Sequence, residues 1–143
     1  GDLTVTQTSE GTFAGVTTND GSLTKEGSAA LIFTNEIKHR GSTTINAGIL
    51  ELGNNSSIGA VTIANIAGAK LDIDGNTATI KTLNGYDNSS IDFGLNGTLI
   101  VYQLADGEYQ GQFEGNGTLT KRGDSNINRL GSTIQSGNSS INN

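Results

Sequence analysis

Cysteine, proline, methionine and tryptophan are absent from this 143-residue chain. Without cysteine there is no disulfide framework and no thiolate metal site. A small secreted domain lacking disulfides must be held by repetition or by a long core. Aromatic platforms for sugars are scarce, with Tyr86, Tyr102 and Tyr109 the only tyrosines. Positive charge is short too: 8 Lys and Arg stand against 14 Asp and Glu, giving a net charge of −6. That balance, with a pI near 4.5, disfavours nucleic acid, which wants a basic stripe to replace its counterions. The acidity serves solubility. No apolar run approaches the roughly 20 residues needed to cross a bilayer. No signal peptide is visible, and the chain opens on Gly1 rather than Met, which reads as an excised fragment.

What the chain does have is glycine, at 21 residues, together with the strand formers Thr, Ile and Leu. Helix formers are sparse. From Gly21 to Gly53 the apolar residues come in short pulses: Leu23, then Leu31 and Phe33, then Ile45, then Leu50 and Leu52. Within a pulse they lie two apart, the strand period. Between pulses lie Gly, Ser, Thr and Asn, which suit turns. The same rhythm continues through Val61–Ile63, Leu71–Ile73, Ile80–Leu83, Ile91–Phe93 and Leu99–Val101. Connectors are expected at Asn54–Gly59, Asn65–Gly68, Asp74–Asn76, Asn84–Ser90 and Gly94–Gly97. The charged stretch Asn35–Arg40 (NEIKHR) is expected to bulge out as a loop. Regular pulses argue against disorder, and the fold class is all-β in a single domain spanning 1–143.

The chain also repeats itself. Laying 11–27 over 107–123 aligns 17 positions, of which Gly11, Gly15, Gly21, Leu23, Thr24, Lys25 and Gly27 recur unchanged. Phe13 falls over Tyr109 and Leu31 over Ile127. Gly41-Ser42-Thr43 resembles Gly131-Ser132-Thr133 after a short deletion. One copy thus occupies 21–59, and a partial second copy occupies 107–143. Self-similarity among short strands points to a solenoid whose turns bury each other's apolar face. The expected architecture is a single-stranded parallel β-helix of about six or seven coils at about 20–25 residues each. With strands about 4.8 Å apart, the rod would be roughly 30 Å long. Asn54, Asn65, Asn84, Asn96 and Asn116 are corner candidates for amide ladders, and open ends would expose strand edges. A β-sandwich is the alternative, since Asn84-Gly85, Asn96-Gly97 and Asn116-Gly117 are hairpin signals.

Gly21-Ser22-Leu23-Thr24-Lys25-x-Gly27, then Leu31-x-Phe33, then Gly41-Ser42-Thr43-Thr44-Ile45-Asn46-Ala47-Gly48-x-Leu50-x-Leu52-Gly53 resembles the passenger-associated repeat of bacterial autotransporters. Asn54–Gly59 is similar to that repeat's usual extension, and Gly117–Gly123 to the start of another copy. The match covers about 40 residues well. It departs at Asn35–Arg40, where the family has a Gly-, Asn- and Tyr-rich turn. The resemblance implies a right-handed β-helical stalk, secreted through the outer membrane by a C-terminal barrel lying outside these residues. It implies an adhesin or virulence factor, displayed on the cell surface or released. The partners implied are a host receptor, an extracellular matrix protein or neighbouring bacteria, with self-association open. Membrane attachment would come through the barrel alone, and no cofactor is implied. The repeat marks the stalk without choosing among these roles.

Four features stand out as candidate sites. Arg122-Gly123-Asp124 resembles an integrin-recognition tripeptide, a Gly-hinged turn presenting a guanidinium and a carboxylate. Since Lys121-x-Gly123 belongs to the repeat, the simpler reading of Arg122 and Asp124 is as surface residues. Asp72 and Asp74 precede Gly75 and faintly match a calcium loop, which needs six to eight oxygens. A solvated strand face explains them as well. Lys38, His39 and Arg40 sit in the expected loop, where the copy leaves the family pattern. Finally, Asp72, Asp74, Asp87, Asp92 and Glu114 could include the carboxyl pair of a carbohydrate-active β-helix, the alternative function. His39 is the lone histidine, so a serine-protease triad would need it, and no Gly-x-Ser-x-Gly elbow occurs. Enzymatic activity is not expected.

Overall fold

Strand segments of three or four residues alternate inward and outward side chains, and Gly, Asn and Asp between them turn the chain. A computed structural model describes residues 1–18, 20–129 and 139–141, with backbone alone for 128–129 and 139–141. Fourteen strands lie among those residues. They begin with β1 (Leu3–Thr6), β2 (Gly11–Phe13), β3 (Leu23–Glu26), β4 (Leu31–Phe33), β5 (Thr43–Ile45) and β6 (Ile49–Glu51). Longer strands follow: β7 (Ser56–Ile63), β8 (Lys70–Asp72), β9 (Thr77–Gly85) and β10 (Ser90–Val101). The last are β11 (Gly107–Tyr109), β12 (Gln112–Lys121), β13 (Ile127–Arg129) and β14 (Ser139–Ile141).

All pairings among these strands are parallel, and they fall into three faces. The first face stacks β1, β3, β5, residues 60–63, residues 82–85, β11 and β13. The second stacks β2, β4, β6, β8 and the first residues of β10 and β12. The third begins with bridges from Thr17 to Ile37 and from Lys38 to Ser57. It continues through the starts of β7 and β9, the ends of β10 and β12, and β14. One coil takes from 18 residues, Thr43 to Val61, to 24, Gly85 to Tyr109. The chain is a parallel β-solenoid of about six turns. Parallel register in every pairing of the described strands leaves no place among them for the hairpins of a sandwich. Asn96, at a φ of 63°, instead forms a bulge inside β10, between register shifts at Leu95 and Gly97.

The inward residues make one continuous core. Leu23, Leu31, Phe33, Ile45, Leu50 and Leu52 are all buried, each contributing roughly 1.5–3 kcal/mol. Toward the later coils the core becomes aromatic: Phe113 stacks 5.8 Å from Phe93 and 4.8 Å from Tyr109. Gly85 makes room for this, because a Cβ there would lie 2.6 Å from the Tyr109 ring. The Tyr109 hydroxyl donates to the Gln112 carbonyl at 2.9 Å, satisfying its buried polar end.

Two expected loops lie along the third face instead: Ser56–Gly59 belongs to β7, and Ile37 and Lys38 make isolated parallel bridges. Asn35–Arg40 does not bulge: Ile37 is fully buried, His39 is 7 % exposed, and Lys38 and Arg40 point outward. Alternation carries this stretch along the third face of the second coil, so charge at every second residue reads as a strand's wet side. Within Asn54–Gly59 only the start turns, with Asn55 at a φ of 55°. Ser56 enters the core because its hydroxyl is satisfied twice. It accepts from the Ile37 N–H at 3.0 Å and donates to the Gly53 carbonyl at 2.8 Å. Of the asparagine candidates for amide ladders, Asn65 accepts at 2.9 Å from the Asn88 amide, whereas Asn84 accepts from the Glu108 N–H.

The internal repeat takes on a specific meaning here. Lys25 and Lys121 end strands in the same way, each donating Nζ at 2.7 Å to the carbonyl two residues on, Gly27 and Gly123. Both glycines are left-handed, at φ values of 77° and 86°. The first of these corners leaves the first face and the second leaves the third. The recurring sequence is therefore a corner device used on two edges of the prism. Gly131-Ser132-Thr133 lies outside the described residues.

Candidate functional site

Because coils stack in register, residues one coil apart line up as columns about 4.8 Å per step. Two columns stack outward charges of one sign each. On the second face, Ile32 is followed by Glu51, Asp72, Asp92 and Glu114. Asp72 and Asp92 also close their own corners: their Oδ1 atoms accept from the N–H of Asp74 at 2.8 Å and of Gly94 at 2.9 Å. Lys70 reaches into the column, with Nζ 2.8 Å from Glu114 and 3.4 Å from Asp92. Burial lowers the Lys70 pKa, but the pull of Glu114 and Asp92 leaves it raised. Burial first, and then the neighbouring carboxylates, push Asp72 and Glu51 above their usual range.

The second column runs along the edge where the third face turns into the first. Pairing of Lys38 with Ser57, Ile58 with Ile80, and Val101 with both Ile80 and Lys121 sets its order. The outward residues are Arg40, Gly59, Lys81, Tyr102 and Arg122. Arg122 Nη1 donates to the Tyr102 hydroxyl at 2.9 Å, and its guanidinium lies 5.5 Å from that ring's centre. Arg40 is 3.8 Å from Asp20 and Lys38 is 2.9 Å from Glu36, both pairs open to solvent. Lys81 forms no ion pair among the described residues. Beside Arg40 and Lys81 lies a cleft of about 640 Å³ lined by Thr18, Asp20, Lys38, His39, Arg40, Ser57 and Lys81.

His39 is the buried polar group beside that cleft. Its Nε2 lies 3.2 Å from the Thr43 hydroxyl, while Nδ1 has no hydrogen-bond partner. Burial lowers its pKa below 6.5, against the opposing pull of the Gly41 and Gly21 carbonyls.

The candidate residues distribute themselves over this frame. Asp72 and Asp74 form a corner in which one Asp72 oxygen is already used by the backbone. Asp72, Asp92 and Glu114 stack in a line, while Asp87 sits at an exposed turn. No cluster of three or more His, Cys, Asp or Glu arranged to hold a metal occurs among the described residues. Arg122, Gly123 and Asp124 occupy an exposed corner, with Arg122 held on Tyr102. Lys38, His39 and Arg40 are brought together with Lys81, which sequence reasoning missed. So was Lys25, fully buried with its ammonium on three carbonyls, Glu26, Gly27 and Ala47, at 2.7, 2.7 and 3.1 Å. The available signal for both columns was spacing by one coil, as in Lys81, Tyr102 and Arg122 or in Glu51, Asp72 and Asp92.

Comparison with known proteins adds a distant homology. The chain is 29 % identical over 137 residues to the adhesin BmaC autotransporter of Brucella suis biovar 1 (strain 1330), an alignment covering 92 % of the chain. The chain spans 4 % of that relative's length. No protein-family model matches the chain, and no solved structure matches it.

Proposed function

We propose that the chain is a segment of the β-helical passenger of a bacterial autotransporter adhesin, carried to the cell surface and displayed there or released. The observation that carries this reading is homology along 92 % of the chain to a protein named as an adhesin autotransporter, in a segment built as a parallel solenoid. A stalk of this kind needs no disulfides. Each coil is held by its neighbours, so the rod is extended by adding coils rather than by enlarging one core. Its role is display and contact rather than catalysis, and its carboxylates stack in a row with backbone and Lys70 as partners. The contacts it makes are with host cells or neighbouring bacteria, through a receptor or matrix protein, and the exposed Arg122-Gly123-Asp124 corner is one place for them.

Antibodies raised against the 143-residue chain test the reading on the bacterium that encodes it. They should label intact cells or detect the segment in culture medium, and the signal should vanish when the translocating barrel is deleted. Labelling that appears only after permeabilisation would overturn it.

A further inference from the structure

The outward cations of this acidic chain are not scattered. Lys25 and Lys121 turn their ammonium groups onto corner carbonyls, and Lys70 is held by Glu114 and Asp92. The remaining cations with described side chains are Lys38, Arg40, Lys81 and Arg122. All four lie along one edge of the solenoid, while Glu51, Asp72, Asp92 and Glu114 occupy the second face. A net charge of −6 therefore hides a cationic column one side chain wide.

The column has a period. Arg40, Lys81 and Arg122 stand on alternate coils, with Gly59 and Tyr102 between them. Their backbones are thus about 9–10 Å apart and span about 19 Å in all. That step is close to the length of two pyranose rings in an extended chain. Tyr102, 39 % exposed, stands between two cations and holds one of them, Arg122, on its ring and hydroxyl, and a 640 Å³ cleft lies beside Arg40 and Lys81. The ion pairs of Arg40 with Asp20 and Lys38 with Glu36 are solvent-open, so an incoming anion displaces them at little cost.

We propose that this edge is a binding surface for an acidic polysaccharide, a linear chain carrying at least one anionic group per disaccharide, lying along the rod from Arg40 to Arg122. Single-stranded nucleic acid is the competing polyanion. Its binding proteins use successive aromatic platforms, and this column has one ring. A duplex is too broad for a single cationic row. The inference rests on register and charge placement, independent of the surface display proposed above.

Fluorescence anisotropy of the full chain with labelled octasaccharides of heparin and hyaluronan tests it, against neutral dextran, a deoxythymidine dodecamer and anionic vesicles. Binding of at least one acidic octasaccharide is expected, stronger than binding of dextran or the dodecamer, and falling as salt rises from about 50 to 200 mM. Lys81→Gln and Arg122→Gln should each weaken it about threefold to tenfold, with unchanged melting. Ile66→Glu, an equal charge change at an exposed site off the column, should leave affinity within about twofold. Equal weakening by Ile66→Glu would reduce the effect to net charge and overturn the proposal. So would unchanged binding in both column variants, or preference for the dodecamer or the vesicles.

Discussion

Lys25 occupies a position that sequence patterning gives to an apolar residue. It stands in the inward row with Val5, Ile45 and Ile63, fully buried. It is tolerated because its three N–H donors meet three carbonyls, two of them at the corner where Gly27 turns left-handed. Burial lowers its pKa, partly countered by Glu26, so the carbonyls offset a real desolvation penalty. Replacing it by Met keeps the stem and removes the donors. We expect Lys25→Met to destabilise the chain by about 1–3 kcal/mol, the range for a buried polar group left unsatisfied. Lys121→Met should cost less, because that corner is half-exposed. Urea unfolding of both variants gives the comparison, and a neutral or stabilising Lys25→Met would show that apolar packing outweighs the three bonds.

At the scale of a single stacked face, the acidic column sets the pH dependence. Glu51 and Asp72 have pKa values raised by burial and then by neighbouring carboxylates. In the unfolded chain they titrate near 4.5 and 3.8. Between those values and the raised ones, the folded state binds more protons, so stability falls as pH rises through that window. The penalty is absent below the unfolded values and complete above the folded ones. Glu51→Gln with Asp72→Asn, which keeps an Oδ1 for the Asp74 N–H, should therefore stabilise the chain at pH 7 by about 0.2–1 kcal/mol per relieved pair. The gain should disappear toward pH 3.5, below the unfolded values. His39 works in the opposite sense, its lowered pKa removing stability as pH falls below 6.5. It is common to parent and variant, so the difference between their urea midpoints isolates the column. A gain that persists unchanged to low pH would rule out charge as its origin.

Faces one and two were legible because most of their inward positions hold Leu, Ile, Val or Phe with period two, Lys25 and Thr43 being exceptions. The third face of the early coils was not, since it enters the core through Thr17, Ile37 and Ser56 and alternates with Lys38 and Arg40. Hydrogen bonds to backbone, rather than hydropathy, dock those segments on the face. The two charged columns were illegible for a different reason. Their members lie about one coil apart along the chain, and coil length itself varies from 18 to 24 residues, so no fixed repeat reveals them before the register is known.

For the whole molecule, stability is a chain of neighbour contacts rather than one central core. Middle coils are covered on both sides, whereas the first is covered on one: Leu3, Phe13 and Val16 are 45 %, 42 % and 56 % exposed. Phe13 still leans on Phe33, 5.2 Å between ring centres, so the first coil is docked but shallow. Amide hydrogen exchange of the 143-residue chain should accordingly show a gradient, with least protection in β1 and β2 and most in β7 through β10. Leu71→Ala, at a fully buried position in β8 between β6 and β10, should cost about 2–5 kcal/mol and lower protection in the coils on both sides. Phe13→Ala should release β1 and β2 while leaving β8 and β10 nearly unchanged. If Phe13→Ala instead lowered protection uniformly to the last described strand, the rod would be one cooperative unit, and the nearest-neighbour account would fail.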